Sequence, residues 1–218
     1  MKKIRDGFYV VAEGIDGVGK SSQIALCSKI LRAQYEVKQT REPAEITRQK
    51  LFEQGRVRTN SPDDVFNLYL NDHIEIQESK IKQWKKRGSL ILQDRYLPYS
   101  HDCYWGEKNK HHIEQHDRIH DECVRPDLVI LFISEPLLAM ERIQSRSIDK
   151  AKLKPWSDVE SLKKIQDRYI ELSVRNNDIF VPIFVDEALT ADEISLYVCD
   201  IINHKIKKHV EKQDGIDK

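Results

Sequence analysis

Between Val10 and Gln23 the chain reads VVAEGIDGVGKSSQ, an apolar run that breaks into glycines, a lysine and two serines. Gly14, Gly19, Lys20 and Ser21 satisfy the pattern G-x-x-x-x-G-K-[ST], which stands after a predicted strand and before a predicted helix, the context that turns a motif into evidence. The glycines let backbone N–H groups turn inward around phosphate oxygens, and the N-terminus of the next helix adds positive dipole. Lys20 then bridges terminal phosphates and Ser21 ligates Mg²⁺. The loop also carries Asp16. A carboxylate aimed at polyphosphate is repelled, so Asp16 is expected to serve a second ligand, such as a sugar hydroxyl, or the hydrated metal. Two ligands imply transfer between them.

The rest of the chain agrees with the strand–loop–helix start. Apolar, β-rich runs recur in SLILQD from Ser89, DLVILFI from Asp127 and IFVPIFVD from Ile179, with YEVKQTR a weaker candidate. They are nearly continuous in apolar residues, as buried parallel strands are. Helical patterns lie between them at Ser21 to Ala33, Pro62 to Lys86, Leu137 to Arg146, Val159 to Leu172 and Ala191 to Lys207. Alternating strands and helices predict a doubly wound α/β sheet. No composition shift marks a boundary, so residues 1–208 read as one domain and the polar end HVEKQDGIDK, 209–218, as a fraying tail.

Composition narrows the partners. Lys and Arg number 36 against 36 Asp and Glu, so no global basic field argues for nucleic acid. No apolar run approaches the roughly 18 residues of a membrane span, and the start MKKIRDGFYVVAEG runs into the glycine loop, unlike a signal peptide. Cys27, Cys103, Cys123 and Cys199 are scattered without a CxxC pair, which suits reduced thiols. The expectation is a cytoplasmic protein with no membrane or nucleic-acid partner.

With EGIDGVGKSSQ, the segments TREP at Thr40 to Pro43, LILQDRY ending at Tyr96, RPDLVILF from Arg125 and ERIQSR from Glu141 make the chain resemble the thymidylate kinases among the nucleoside monophosphate kinases. The segments occur in that family's order and near its spacing. The resemblance implies a five-stranded parallel sheet wrapped by helices and transfer of the ATP γ-phosphoryl group to a deoxynucleoside monophosphate, dTMP first. It also implies Mg²⁺ dependence, a mobile lid at about 146–157 and a homodimer. Gly17 and Ser22 join Gly14, Gly19, Lys20 and Ser21 as the expected ATP site. Two rivals stay open: a kinase of the same fold acting on another nucleotide or a nucleoside, and a nucleotide-binding protein without turnover.

Phosphoryl transfer needs positioning groups and cations more than covalent chemistry. The DRY segment follows an apolar strand, which places Asp94 and Arg95 at its carboxyl end, where α/β sheets bind ligands. By resemblance Arg95 clamps the acceptor phosphate, and Asp94 sits near the metal or fixes neighbouring donors. Glu42 and Pro43 help form the acceptor pocket, with Pro43 after a cis peptide. Arg48 aligns with another acceptor-phosphate arginine, but only loosely, since PAEIT lacks the family's glycine pair; an exposed helix arginine is an equal reading. Arg142, Arg146, Lys150, Lys152 and Lys154 read either as lid cations or as a solvated basic face. Gly17 and Val18 put no arginine in the loop, so the cation for the transition state must come from elsewhere, Arg146 first and Arg142 second.

For the acceptor base, the alignment puts Tyr69 at the stacking position, His73 where an arginine usually reaches a thymine carbonyl, and Ser100 on a family serine. Tyr99 and Tyr104 fall where smaller or base-reading polar residues are common, and Tyr99 with Trp105 is expected to narrow the pocket. A His73 Nε2–H or the Tyr104 hydroxyl would donate to the pyrimidine. His112, His116 and His120 share one helical face where two could bind zinc, but a polar helix surface explains the pattern and no metal site is expected there.

Overall fold

Every residue of FYVVAE, LILQD and LVILFI is buried, because each of these strands is covered on both faces. They are β1 (Phe8–Glu13), β3 (Leu90–Asp94) and β4 (Leu128–Ile133). With the edge strands β2 (Val37–Arg41) and β5 (Phe180–Phe184) they make one parallel sheet in the order β2-β3-β1-β4-β5. This is a computed structural model and describes residues 1–53, 60–106, 122–146, 158–186 and 188–216. The weak sequence signal of β2 has a physical cause: at the edge only Val37 is fully buried, so the strand needs no continuous apolar run. Pro182 in β5 is tolerated for the same reason.

The helices are α1 (Lys20–Leu31), α2 (Glu45–Arg48), α3 (Pro62–Ile76), α4 (Lys82–Lys86), α5 (Leu97–Trp105), α6 (Pro136–Arg146), α7 (Val159–Arg175) and α8 (Ala191–Ile216). Ser61 caps α3 by accepting from Asp64 N, and Pro62 takes its first turn. A π-helical turn, Gln77–Ile81, joins α3 to α4, so the pattern from Pro62 to Lys86 is one helical path. Helix α5 carries no helical prediction, since its sequence LPYSHDCYW is aromatic and lacks a clear apolar stripe; Pro98 near its start is the one local signal.

Over 209–216 the expected fraying tail is corrected by the structure. Helix α8 continues through Ile216, with Val210 packed against the core and Gln213 Nε2 donating to Asp6 Oδ2 at 2.9 Å. Tertiary contact holds a segment that polarity alone leaves loose. No helix among the described residues is long and apolar enough to cross a membrane.

Chain order reverses at β1, with β2 and β3 on one side and β4 and β5 on the other. Ligands of open α/β sheets bind at such a switch point, outside the carboxyl ends of the strands. There the chain places GIDGVGKS after β1, EPAE after β2 and RYLP after β3.

Candidate active site

The three loops enclose a cavity of about 390 Å³. Its floor is the loop between β1 and α1. Gly14 and Gly17 have φ of 134° and 85°, and a Cβ at either would stand 2.3 Å from the Phe132 carbonyl oxygen or 2.2 Å from that of Ala139. Only glycine lets the loop lie this close to β4 and α6. Gly17, Gly19, Lys20, Ser21 and Ser22 line the cavity, while Gly14 does not.

Lys20 Nζ donates to the carbonyls of Gly14 and Ile15 at 3.0 and 2.7 Å. Burial, with the Arg95 guanidinium second, lowers its pKa to about 7 against the pull of Asp94, Asp16 and Glu13. The Ser21 hydroxyl donates to Asp94 Oδ2 at 2.5 Å, and Asp94 Oδ1 is buried without a hydrogen-bond partner. A hydroxyl and an unsatisfied carboxylate oxygen side by side suit a hard divalent cation that also takes phosphate oxygens and water. No group of three His, Cys, Asp or Glu side chains able to hold a metal occurs among the described residues, and Mg²⁺ with a phosphate ligand does not require one. The His112, His116, His120 face lies outside the described residues.

Arg95 follows β3 with φ 73°, a left-handed turn that is costly for a side chain with a Cβ. Its backbone is held on both sides, N donating to Ala12 O at 3.0 Å and O accepting from Gln93 Nε2 at 2.8 Å. The side chain turns into the cavity. Nη2 donates to Asp16 Oδ1 at 2.7 Å and to the Tyr104 hydroxyl at 2.8 Å; Nη1 makes longer bonds to Tyr169 Oη at 3.3 Å and Ser100 Oγ at 3.5 Å. Behind them Glu13 is fully buried and accepts from Tyr96 N, Ser100 Oγ and the Tyr169 hydroxyl. Burial raises the Glu13 pKa, and Arg95 is the chief opposing influence.

Glu42 anchors the second wall and precedes Pro43 through a cis peptide bond. Its Oε1 accepts from Gln93 Nε2 at 2.8 Å and lies 2.9 Å from His73 Nδ1, while Oε2 accepts from Leu97 N at 2.6 Å. Arg41, Glu42, Pro43 and Arg48 all line the cavity. Asp72 on α3 receives Ala44 N at the start of α2 at 2.9 Å, which sets the short helix that carries Arg48 to the rim. The remaining walls are Tyr69, Leu97, Ser100, His101, Tyr104 and Trp105. Tyr69 is seated on a small cluster of Phe66, Leu70 and Leu97, and the His101 ring stacks on Trp105 at 6.0 Å and 16°.

The cavity therefore gathers Asp16, Gly17, Gly19, Lys20, Ser21, Ser22, Glu42, Arg48, Tyr69, Asp94, Arg95, Ser100 and Tyr104 from the residues singled out in the sequence. His73 is a correction: its ring is wholly buried behind Glu42, edge-on to Tyr96 at 5.2 Å, and it does not line the cavity. A histidine is too short to pass Glu42, and the carboxylate retains it. Tyr99 is likewise buried against Tyr96 and Phe180 and narrows nothing, whereas Trp105 does line the cavity. The Tyr104 hydroxyl is engaged by Arg95. Arg142 does not line the cavity, the Arg146 side chain lies outside the described residues, and so does the basic segment 147–157. Arg41, Gln93, His101 and Tyr169 are absent from the sequence reading; Arg41 had a signal, since it belongs to TREP, and Tyr169 had none.

Comparison with known proteins identifies the family. The family model described as thymidylate kinase matches residues 12–184. A probable thymidylate kinase of Thermococcus onnurineus is 27% identical over 212 residues, covering 92% of this chain and 99% of the relative. The thymidylate kinase of Tropheryma whipplei is 32% identical over 177 residues, covering 78% and 83%. A solved thymidylate kinase from Ehrlichia chaffeensis superposes with a TM-score of 0.69 over 90% of this chain and 98% of its own; at 19% identity it speaks for the fold. A family match across most of the chain, with the phosphate loop and the loops after β2 and β3 facing one cavity, means that the chain belongs to the thymidylate kinase family.

Proposed function

We propose that this cavity transfers the γ-phosphoryl group of ATP to dTMP, giving dTDP and ADP. The observation that carries the reading is that one cavity is lined both by Lys20 and Ser21 of the phosphate loop and by Arg95, Tyr69 and Trp105 from the loops and helices beside it. A binder of a single nucleotide has no use for a second arginine-and-tyrosine wall beside its phosphate loop.

ATP lays its phosphates along the loop, where backbone N–H groups, the start of α1 and Lys20 receive them. Ser21 and Asp94 would hold Mg²⁺, which neutralises phosphate charge when bound. Arg95 orients the acceptor phosphate, and Asp16, paired with Arg95, is placed for the acceptor's sugar hydroxyl. Tyr69 supplies a face on which the base stacks, a contact tolerant of base identity, and Trp105 lines the same cavity. Arg146, or Arg142, supplies the lid cation, and the enzyme works as a homodimer in the cytoplasm.

The test is a coupled ADP-release assay with purified protein, ATP, Mg²⁺ and a panel of nucleoside monophosphates and nucleosides at matched concentrations. dTMP is expected to turn over fastest. A nucleoside turned over faster than any monophosphate would place the chain with nucleoside kinases.

A further inference from the structure

Arg95 is almost fully committed: its four hydrogen bonds to Asp16, Tyr104, Tyr169 and Ser100 occupy the hydrogens of both Nη atoms. To reach an anion it must surrender one of them. Arg41 stands differently. It ends β2, opposite Asp94 in the parallel register of β2 and β3, so the two side chains leave the sheet on the same face and line the same cavity. No ion pair joins them among the described residues, and each keeps a buried polar atom without a hydrogen-bond partner, Nε in Arg41 and Oδ1 in Asp94. A buried N–H without a partner is costly, and a guanidinium more so, unless a ligand satisfies it. A divalent cation would be that ligand for Asp94. Arg41 needs an anion.

We propose that Arg41 captures the acceptor's phosphate directly, making a charge-assisted contact that Arg95, held by its own partners, completes from the other side. This rests on the acceptor-site reading above and deepens it, because it says why a monophosphate is required: without the phosphate, the Nε of half-buried Arg41 stays without a hydrogen-bond partner. Arg41 borders Glu42, whose two oxygens are taken by Gln93, His73 and Leu97 N, so the neighbouring carboxylate is already occupied and does not compete for the guanidinium. Arg48, also on the cavity wall, is exposed and has no buried orphan atom, which makes it a contributor of field at the rim.

The experiment measures binding of dTMP, of thymidine and of ATP to the full chain by calorimetry, for the wild type, Arg41→Gln, Arg41→Lys and Arg48→Gln. Wild-type preference for dTMP over thymidine tests the acceptor reading itself; its absence would remove that reading irrespective of Arg41. Given that preference, Arg41→Gln is expected to weaken dTMP binding about 10- to 100-fold while thymidine and ATP binding stay within about 2-fold. Arg41→Lys restores part of the loss, and Arg48→Gln costs less than Arg41→Gln. Equal weakening of dTMP and thymidine would mean that Arg41 only shapes the pocket, and an unchanged dTMP affinity would mean that it does not touch the phosphate. Weakened ATP binding with dTMP intact would move Arg41 to the donor side. Each of these three results overturns the proposal.

Discussion

Asp16, inside the phosphate loop, and Arg95, at the end of the adjacent strand β3, form an ion pair at 2.7 Å with both side chains mostly buried. The pair resolves the oddity of an acid placed among phosphate ligands, since Arg95 balances its charge and fixes its direction. Asp16→Asn is expected to lower kcat/KM for dTMP about 10- to 100-fold with KM for ATP nearly unchanged, because the lost partner belongs to the acceptor side. Steady-state kinetics with each substrate varied in turn decides this. A defect confined to ATP would reassign Asp16 to the donor.

Lys20 gives a proton-linked signature. Its pKa is lowered to about 7 by burial and Arg95, and polyphosphate supplies the anions that raise it again. At pH 8 much of the Lys20 population is neutral before ATP binds and charged afterwards, so binding takes up protons. Calorimetry of ATP binding in buffers of different ionisation enthalpy should show this uptake at pH 8 and little of it at pH 6. Lys20→Ala should abolish the uptake and cost about 3 kcal/mol or more in transition-state stabilisation. Proton release at pH 8 would contradict the assignment.

The buried Glu42–His73 pair makes stability depend on pH. Burial lowers the His73 pKa, but the Glu42 charge outweighs it, with Cys123 adding, and raises it from the ordinary 6.5 to about 10. A group raised in the folded state stabilises fully below its unfolded pKa and loses that contribution as pH climbs to the folded one, so this term fades between about pH 6.5 and 10. Lys20 acts in the opposite sense: lowered on folding, it costs stability below pH 7 and the cost is lifted toward pH 10.5. The two are separated by comparing variants. His73→Ala should lose about 3 kcal/mol at pH 6 and less at pH 9, by urea unfolding. A constant loss across that range would mean that the pair is not ionic.

Gly17 tests the loop's contact with α6. A methyl group there would sit 2.2 Å from the Ala139 carbonyl oxygen on a backbone with φ 85°. Gly17→Ala should lose about 2 kcal/mol or more and weaken ATP binding well beyond 10-fold, whereas Gly19→Ala, with open space around the added carbon, pays only the cost of its φ of 102°. Equal effects in thermal unfolding would show that the approach to Ala139 is not what requires glycine.

The fold was largely legible because three central strands are buried on both faces and so announce themselves as continuous apolar runs, while the phosphate loop declares its own strand and helix. Edge strand β2 and helix α5 were harder to see, as half-exposed β2 needs no apolar run and α5 is set by Glu42 at Leu97 N. The same limit governs the site. Motif positions such as Lys20, Ser21, Asp94 and Arg95 converge as their spacing implies, but an aligned position does not say whether a shorter side chain still reaches. His73 stops behind Glu42, and only packing reveals it. Likewise Tyr169, distant in the chain, joins Arg95 and Glu13 through a helix whose burial depends on the complete core.

The central claim is that one cavity joins a phosphate donor to dTMP, and rapid-quench analysis of a single turnover with γ-labelled ATP, Mg²⁺ and dTMP tests it most directly. The label should pass from ATP to dTDP without appearing first as inorganic phosphate, and Lys20→Ala should slow that step about a hundredfold or more. Label that appears as free phosphate with dTMP untouched, or that moves faster to a purine monophosphate than to dTMP, would contradict it.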